Sequence, residues 1–328
     1  MQGDAPPDHD SVRQSVPGLH HVTAITGNAR GNLDFYTHVL GMRLVKKTVN
    51  QDDVSAYHLF YADAVGSPGT DLTFFDWPYA SVNRPGVGTI GPVALRVADD
   101  RALEWWQQTF EQVGVPHGEV ETVRGLSRLP FTDPEGQRLE LVTDGGAPGG
   151  RPWGSSAAPA WAQVKGLHGV AIAEASLDPT RRLLEGLLGF RQVDERGLAD
   201  GVAEHAFESG QGGPGTEVRV QLPREPYRGH PGRGGVHHVA FRAPDDAAQE
   251  SWRGRLEAAG VPVTPIIDRF YFRSIYFREP GGALFEIATD GPGFAADEPE
   301  EMLGTRLALP PFLEGQRERI EAELTPLN

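Results

Sequence analysis

The 328-residue chain contains no cysteine. Disulfide stapling and thiolate metal ligation are therefore excluded, and any metal must be held by histidine, carboxylate or water. Long apolar runs are also lacking: no stretch approaches the roughly 20 apolar residues of a membrane-spanning helix. The polar, proline-containing start from Met1 to Val16 has no apolar stretch of the secretory-signal kind. Positive charge is scarce as well. With 30 lysines and arginines against 45 aspartates and glutamates the net charge is −15, which argues against a nucleic-acid binder, since that needs a basic face. These absences point to a cytoplasmic protein with no nucleic-acid and no membrane partner. Hydrophobic residues make up 39% of the chain, enough for a large core, and the length suits about two domains.

What is present is an internal repeat. Gly18-Leu19-His20-His21-Val22-Thr23-Ala24 is matched by Gly166-Leu167-His168-Gly169-Val170-Ala171. Each leads into an amphipathic stretch with a common ending, Phe35 to Arg43 and Leu183 to Arg191, in which Gly41 and Gly189 read as helix stops. A second pair carries its own landmarks. Trp106 to Pro116 matches Trp252 to Pro262, and the turn Phe131-Thr132-Asp133-Pro134-Glu135-Gly136 matches Phe277-Arg278-Glu279-Pro280-Gly281-Gly282. Each unit reads as strand, helix and three strands, over about 19–76, 91–144, 164–222 and 235–290. The expected organisation is an N-terminal tail 1–18, units 1 and 2 in 19–150, units 3 and 4 in 151–300, and a tail 301–328 whose Pro311 to Leu324 pattern predicts one closing helix. One unit is too small to bury a core alone. The fold class is therefore α+β: four βαβββ modules paired into two curved-sheet half-barrels with helices outside.

The repeat also locates candidate ligands. At the first-strand slot the units carry His21, Pro92, Gly169 and His238; at the last-strand slot they carry Phe74, Glu140, Val220 and Glu286. Strand alternation puts His20, Val22 and Ala24 on the face under a helix, and His21 with Thr23 on the other, toward a cavity. His237 and His238 divide in the same way. Glu286 interrupts an apolar strand, which is costly without a partner or a metal. An isolated histidine of this kind is more often a hydrogen-bonded core residue. Two histidines and a glutamate at matching slots favour a metal. The two-histidine, one-carboxylate set is typical of non-haem Fe(II) oxygenases, and the same donors also suit Mn(II), Zn(II) or Ni(II). Only units 1 and 4 together supply all three ligands, so they are expected to form the metal-binding barrel. Units 2 and 3 would then form a metal-free companion, with Glu140 hydrogen-bonded or vestigial and His168 a reserve ligand.

The four-unit pattern resembles the vicinal oxygen chelate superfamily, in which paired βαβββ units surround a divalent metal. Leu19 to Thr23, Asp34-Phe35-Tyr36, Gly41 to Thr48, Tyr57 to Asp63, Gly66 to Thr70 and the stretch Asp268-Arg269 to Glu286 are similar to ring-cleaving dioxygenases acting on hydroquinones. That resemblance implies Fe(II), O2 and a small aromatic substrate, with His21, His238 and Glu286 as ligands between the first and last units. It further suggests Tyr276 as a proton donor, Arg269 as a stabiliser of anionic oxygen, and His20 and His237 in support of the ligands. His58 reads as a core or edge residue. A catechol-cleaving relative, a glyoxalase-type isomerase using Zn or Ni, and a metal-free aromatic- or drug-binding module remain open alternatives. Self-association into a homo-oligomer is also left open.

Overall fold

The computed structural model describes residues 14–198 and 201–327, so the first part of the expected N-terminal tail lies outside the described residues. The first unit runs β1 (Leu19–Thr26), α1 (Ala29–Asp34), β2 (Arg43–Asn50), β3 (Asp53–Ala62) and β4 (Asp71–Asp76). The second runs β5 (Ile90–Val97), α2 (Asp100–Val113), β6 (Glu121–Val123), β7 (Leu126–Thr132) and β8 (Arg138–Thr143). The third comprises β9 (Leu167–Ala173), α3 (Leu177–Arg181), β10 (Arg191–Gly197), β11 (Ala203–Glu208) and β12 (Glu217–Leu222). The fourth comprises β13 (Gly235–Ala243), α4 (Asp246–Ala258), β14 (Ile267–Asp268), β15 (Arg273–Arg278) and β16 (Leu284–Thr289).

The helices begin and end where local chemistry directs. Asp99 and Asp245 cap α2 and α4 by accepting the amides of Ala102 at 2.9 Å and Ala248 at 2.8 Å. Helices α1 and α3 each continue into a wider π-type turn, Phe35–Val39 and Arg182–Leu187. Gly41 (φ 64°) and Gly189 (φ 75°) then let the chain leave in the left-handed conformation.

The strands form two eight-stranded sheets, ordered β14-β15-β16-β13-β1-β4-β3-β2 and β10-β11-β12-β9-β5-β8-β7-β6. Units 1 and 4 thus lie in one curved sheet and units 2 and 3 in the other. A near two-fold pair of backbone bonds joins them, Leu19 donating to Gly215 and Leu167 to Gly69, while within the sheets Arg242 donates to Gly18 and Arg96 to Gly166. The main core packs the helices against the sheets. A second apolar cluster, including Val45, Phe60, Tyr271, Phe272 and Phe294, fills part of the hollow of the first sheet.

The C-terminal region departs from the single closing helix expected. Only α5 (Arg317–Glu323) is α-helical, after a short 3-10 turn at Glu314–Gln316. Pro310 and Pro311 have no amide to donate, and Gly315 weakens a helix, so the first half stays irregular. The preceding stretch instead straps the edge strand β2, with the Ala308 amide donating to Lys47 at 2.9 Å. Lys46, fully buried, pairs there with Asp297 at 2.8 Å and with Glu298. Gly304 is required for the close approach, since a Cβ would sit 1.9 Å from the Leu44 carbonyl oxygen.

Candidate metal centre

Three buried side chains converge where the two central strands of the first sheet meet. β1 and β13 are antiparallel with Thr23 opposite His238 and His21 opposite Ala240, and β16 runs parallel to β13 with Glu286 beside Ala240. This register sets His21 Nε2 3.2 Å from His238 Nε2. Glu286 Oε2 lies 3.3 Å from the first and 2.9 Å from the second. These three offer ligand atoms that all lie within 4.8 Å of one another.

Hydrogen-bond accounting then tests whether they suit a cation. His20 Nε2 lies 3.1 Å from the Thr289 carbonyl, which can only accept, so that nitrogen carries the proton. Burial, then the neighbouring His21, lowers the His20 pKa to about 3, so the ring is neutral and its Nδ1 is an acceptor. His21 Nδ1, 2.9 Å away, must therefore donate to it, leaving the His21 Nε2 lone pair facing Glu286. The second doublet has the same contact between Nδ1 atoms, without a carbonyl to fix its protons. His237, lowered to about 3 by burial and by His238, sits with Nδ1 2.7 Å from His238 Nδ1. Burial holds His238 itself below the usual imidazole range despite the pull of Glu286. Burial opposes ionisation of Glu286, and its carboxyl is held well below the usual range only by positive charge or a donated proton at His21 and His238. With the His21 Nε2 lone pair turned toward it, a bound cation is the natural source of that charge. Both Glu286 oxygens lack a hydrogen-bond partner in a fully buried position. Two imidazole nitrogens and a carboxylate thus share one point, and a divalent cation satisfies all three.

The supporting histidines reach this position by a route that simple alternation misses. The β1–β13 register slips between Leu19 and His21 and again opposite His237. Each slip is a bulge, and a bulge turns its extra residue toward the side of its neighbour. His20 and His237 therefore touch the imidazoles of His21 and His238 instead of lying under a helix. The last-strand slots also need correction. The residue aligned with Glu286 and Glu140 is Thr73 in β4 and Arg219 in β12, not Phe74 and Val220. The Gly-Thr turns enter their strands one residue sooner than the Gly-Gly turn.

His21 and His238 line a small cavity, with about 40 Å³ of free space, that opens beside Glu286. Its walls include Val49, Phe60, Phe75 and Phe272, and its polar groups include His58, Tyr276 and Arg269. Tyr276 lies directly opposite Glu286 across β15 and β16. Burial, reinforced by the Glu286 charge and opposed by Arg269, pushes its phenol pKa up, so it stays protonated. Arg269, expected to offer its fork to an anionic oxygen, instead spends it on Asp52, at 3.1 and 2.9 Å. Its guanidinium carbon lies 5.6 Å from the centre of the Tyr276 ring.

His58 was placed by its sequence among core or edge residues, yet it lines the cavity. Its Nε2 lies 2.9 Å from Thr73 Oγ1, which in turn lies 2.8 Å from Thr23 Oγ1. Burial, then His21 and His238, lower its pKa well below the ordinary value. The one available sequence signal was a histidine alternating with Phe60 on a strand of the unit that supplies His21. Trp106 and Trp252 are buried in the helical core and take no part in the site.

In the second sheet ion pairs occupy the equivalent positions. Glu140 accepts from Arg219 at 2.7 Å and from Arg128 at 3.1 Å. Glu217 is bound by Arg128 and Arg124, and Arg128 together with Arg219 outweighs its burial to lower its pKa to about 2. His168 lies 4.0 Å from Glu217 and is kept neutral by burial, far from the three converging residues. Among the described residues no helix is long and apolar enough to cross a membrane.

Comparison with known proteins agrees with this architecture. Residues 18–141 and 166–287 match the Glyoxalase/Bleomycin resistance protein/Dioxygenase superfamily. The chain is 43% identical to "Putative ring-cleaving dioxygenase MhqA" of Bacillus subtilis (strain 168), over 95% of this chain and 99% of that protein. It is 33% identical to a chlorohydroquinone/hydroquinone 1,2-dioxygenase of Sphingobium indicum, over 94% of this chain and 95% of the relative. A crystal structure of a "putative dioxygenase" from Bacillus subtilis subsp. subtilis str. 168 superposes with a TM-score of 0.86 at 39% identity, covering 96% of this chain and 98% of the other. By its repeated fold and its sequence, the chain belongs to the Glyoxalase/Bleomycin resistance protein/Dioxygenase superfamily.

Proposed function

We propose that the protein is an Fe(II)-dependent dioxygenase that opens the ring of a hydroquinone, with His21, His238 and Glu286 as the metal ligands. The observation that carries this reading is the fully buried Glu286 carboxylate, without a hydrogen-bond partner and facing two imidazole nitrogens at the base of an aromatic-walled cavity. The likeness to the chlorohydroquinone/hydroquinone 1,2-dioxygenase of Sphingobium supports a hydroquinone as the substrate class. Bound ferrous iron would acidify a coordinated hydroxyl and carry electrons between ring and dioxygen.

The chain's own residues would do the rest. Phe60, Phe75 and Phe272 flank a planar ring and exclude water from it. His58, held neutral by burial, would hydrogen-bond a substrate hydroxyl, with Thr73 fixing its orientation. Tyr276, held protonated, is the donor on the opposite wall. His20 and His237 fix the tautomers of the two ligand histidines. The test is oxygen uptake by protein loaded with Fe(II) under anaerobic conditions and then given O2 with hydroquinone. Stoichiometric uptake with an opened acid as product is the expected result. Full iron loading without uptake for any dihydroxybenzene would sink the proposal.

A further inference from the structure

The mouth of the cavity carries a feature that the ring-opening chemistry does not use. Among the described residues lining it, Arg269 is the sole lysine or arginine. An unpaired arginine there would favour rings bearing a carboxylate, because its fork matches that group in two parallel bonds. The fork is filled. Asp52 takes both terminal nitrogens, and Gln51 Nε2 donates to the Arg269 backbone carbonyl at 2.8 Å. Asp52 is itself preset, its amide donating to Asn50 Oδ1 at 2.8 Å. The pair spans the open seam of the sheet, since Asp52 lies in the turn after edge strand β2 and Arg269 directly follows edge strand β14. Its two partners face opposite ways: the Asp52 side chain is 73% exposed, while that of Arg269 is 18% exposed and lies against Tyr276 inside.

We propose that Asp52 is a specificity-determining residue: by occupying the Arg269 fork it makes the cavity select neutral hydroquinones over those carrying a carboxylate. A ring carboxylate must either displace Asp52 or remain unpaired in a cavity that already holds the Glu286 charge. Both routes disfavour it relative to an uncharged ring of the same size. The inference deepens the proposed function and rests on its substrate class.

Binding of inert rings tests it without turnover. Benzoate and phenol are titrated calorimetrically into the full-length protein as purified, kept anaerobic, in wild type, Asp52→Asn and Asp52→Asn/Arg269→Gln. Asp52→Asn should bind benzoate about tenfold more tightly than wild type, the scale of one charge-assisted hydrogen bond. Phenol affinity should be unchanged, which also shows that the cavity is intact, and the double variant should lose the benzoate gain. Equal benzoate affinity in wild type and Asp52→Asn overturns the inference, as does a gain that survives in the double variant or benzoate binding undetectable in all three. Because these ligands are not turned over, the result stands apart from oxygen uptake. Uptake with hydroquinone but no shift in benzoate binding removes the role of Asp52 and leaves the dioxygenase reading in place.

Discussion

The two sheets are copies of one frame that handle a polar interior in opposite ways. At equivalent slots the first presents His21, Thr73, His238 and Glu286, and the second presents Pro92, Glu140, Gly169 and Arg219. Both bury a glutamate on the last strand of a unit. In the second sheet Arg219 and Arg128 supply the countercharge from within the chain. In the first, no arginine or lysine among the described residues pairs with Glu286, and its neighbours are the imidazole nitrogens of His21 and His238. A buried carboxylate needs either an internal cation or an external one. The companion sheet is thus complete as it stands, whereas the site sheet is built for a ligand.

That contrast can be broken at its strongest point first. Glu286→Ala should abolish metal retention and lower ring-opening activity more than about 100-fold, beyond the range typical of outer-shell partners. Elemental analysis beside oxygen uptake measures both. Arg219→Met probes the other sheet. It leaves Glu140 and Glu217 short of a buried countercharge and should destabilise the fold by about 3–5 kcal/mol in urea unfolding, with metal content unchanged. A loss of metal from Arg219→Met would show that the two sheets are not independent.

The seams between the sheets differ as well, and pH separates them. At one seam Glu135 accepts from Thr26 and from the Gly27 amide at 2.9 Å. At the other, Glu174 packs where a Cβ on Gly281 would lie 1.4 Å from its oxygen, and it meets Glu279. Burial, then the Glu279 charge, raises the Glu174 pKa from 4.5 to about 9. In the unfolded chain this carboxyl ionises near its ordinary value, so stability is lost as pH rises from there through the folded value. Glu174→Gln should therefore match wild type at pH 4 and exceed it increasingly toward pH 9, by on the order of 2 kcal/mol or more. A gain independent of pH would contradict the shared-proton pair. Glu135→Gln, by contrast, should cost about 1 kcal/mol through a weakened acceptor.

The smallest effect concerns the histidine doublets. His237→Ala removes the acceptor that fixes the His238 tautomer and should weaken metal affinity about tenfold, read by competition with a chelator. His168→Ala, the corresponding test in the companion sheet, should leave metal affinity unchanged.

The repeat made much of this legible in the sequence. Paired βαβββ units followed from matching landmarks such as Gly41 with Gly189 and Trp106 with Trp252. His21, His238 and Glu286 were singled out because they interrupt apolar positions at repeated slots. What the sequence hid were displacements of a single residue. Alternation assumes an unbroken strand, so bulges at His20 and His237 sent those rings to the unexpected side. A turn shorter by one residue exchanged Phe74 for Thr73 and Val220 for Arg219. His58 and the Asp52–Arg269 pair depend on which strands become neighbours across the sheet, and that is set by tertiary packing rather than local pattern.

The most direct test is an anomalous difference map from crystals of the Fe(II)-loaded protein. The account predicts one iron peak per chain, about 2.0–2.3 Å from His21 Nε2, His238 Nε2 and a Glu286 oxygen, and none in the second sheet. No peak at that point, or a peak beside Glu140 and Arg219, would contradict it.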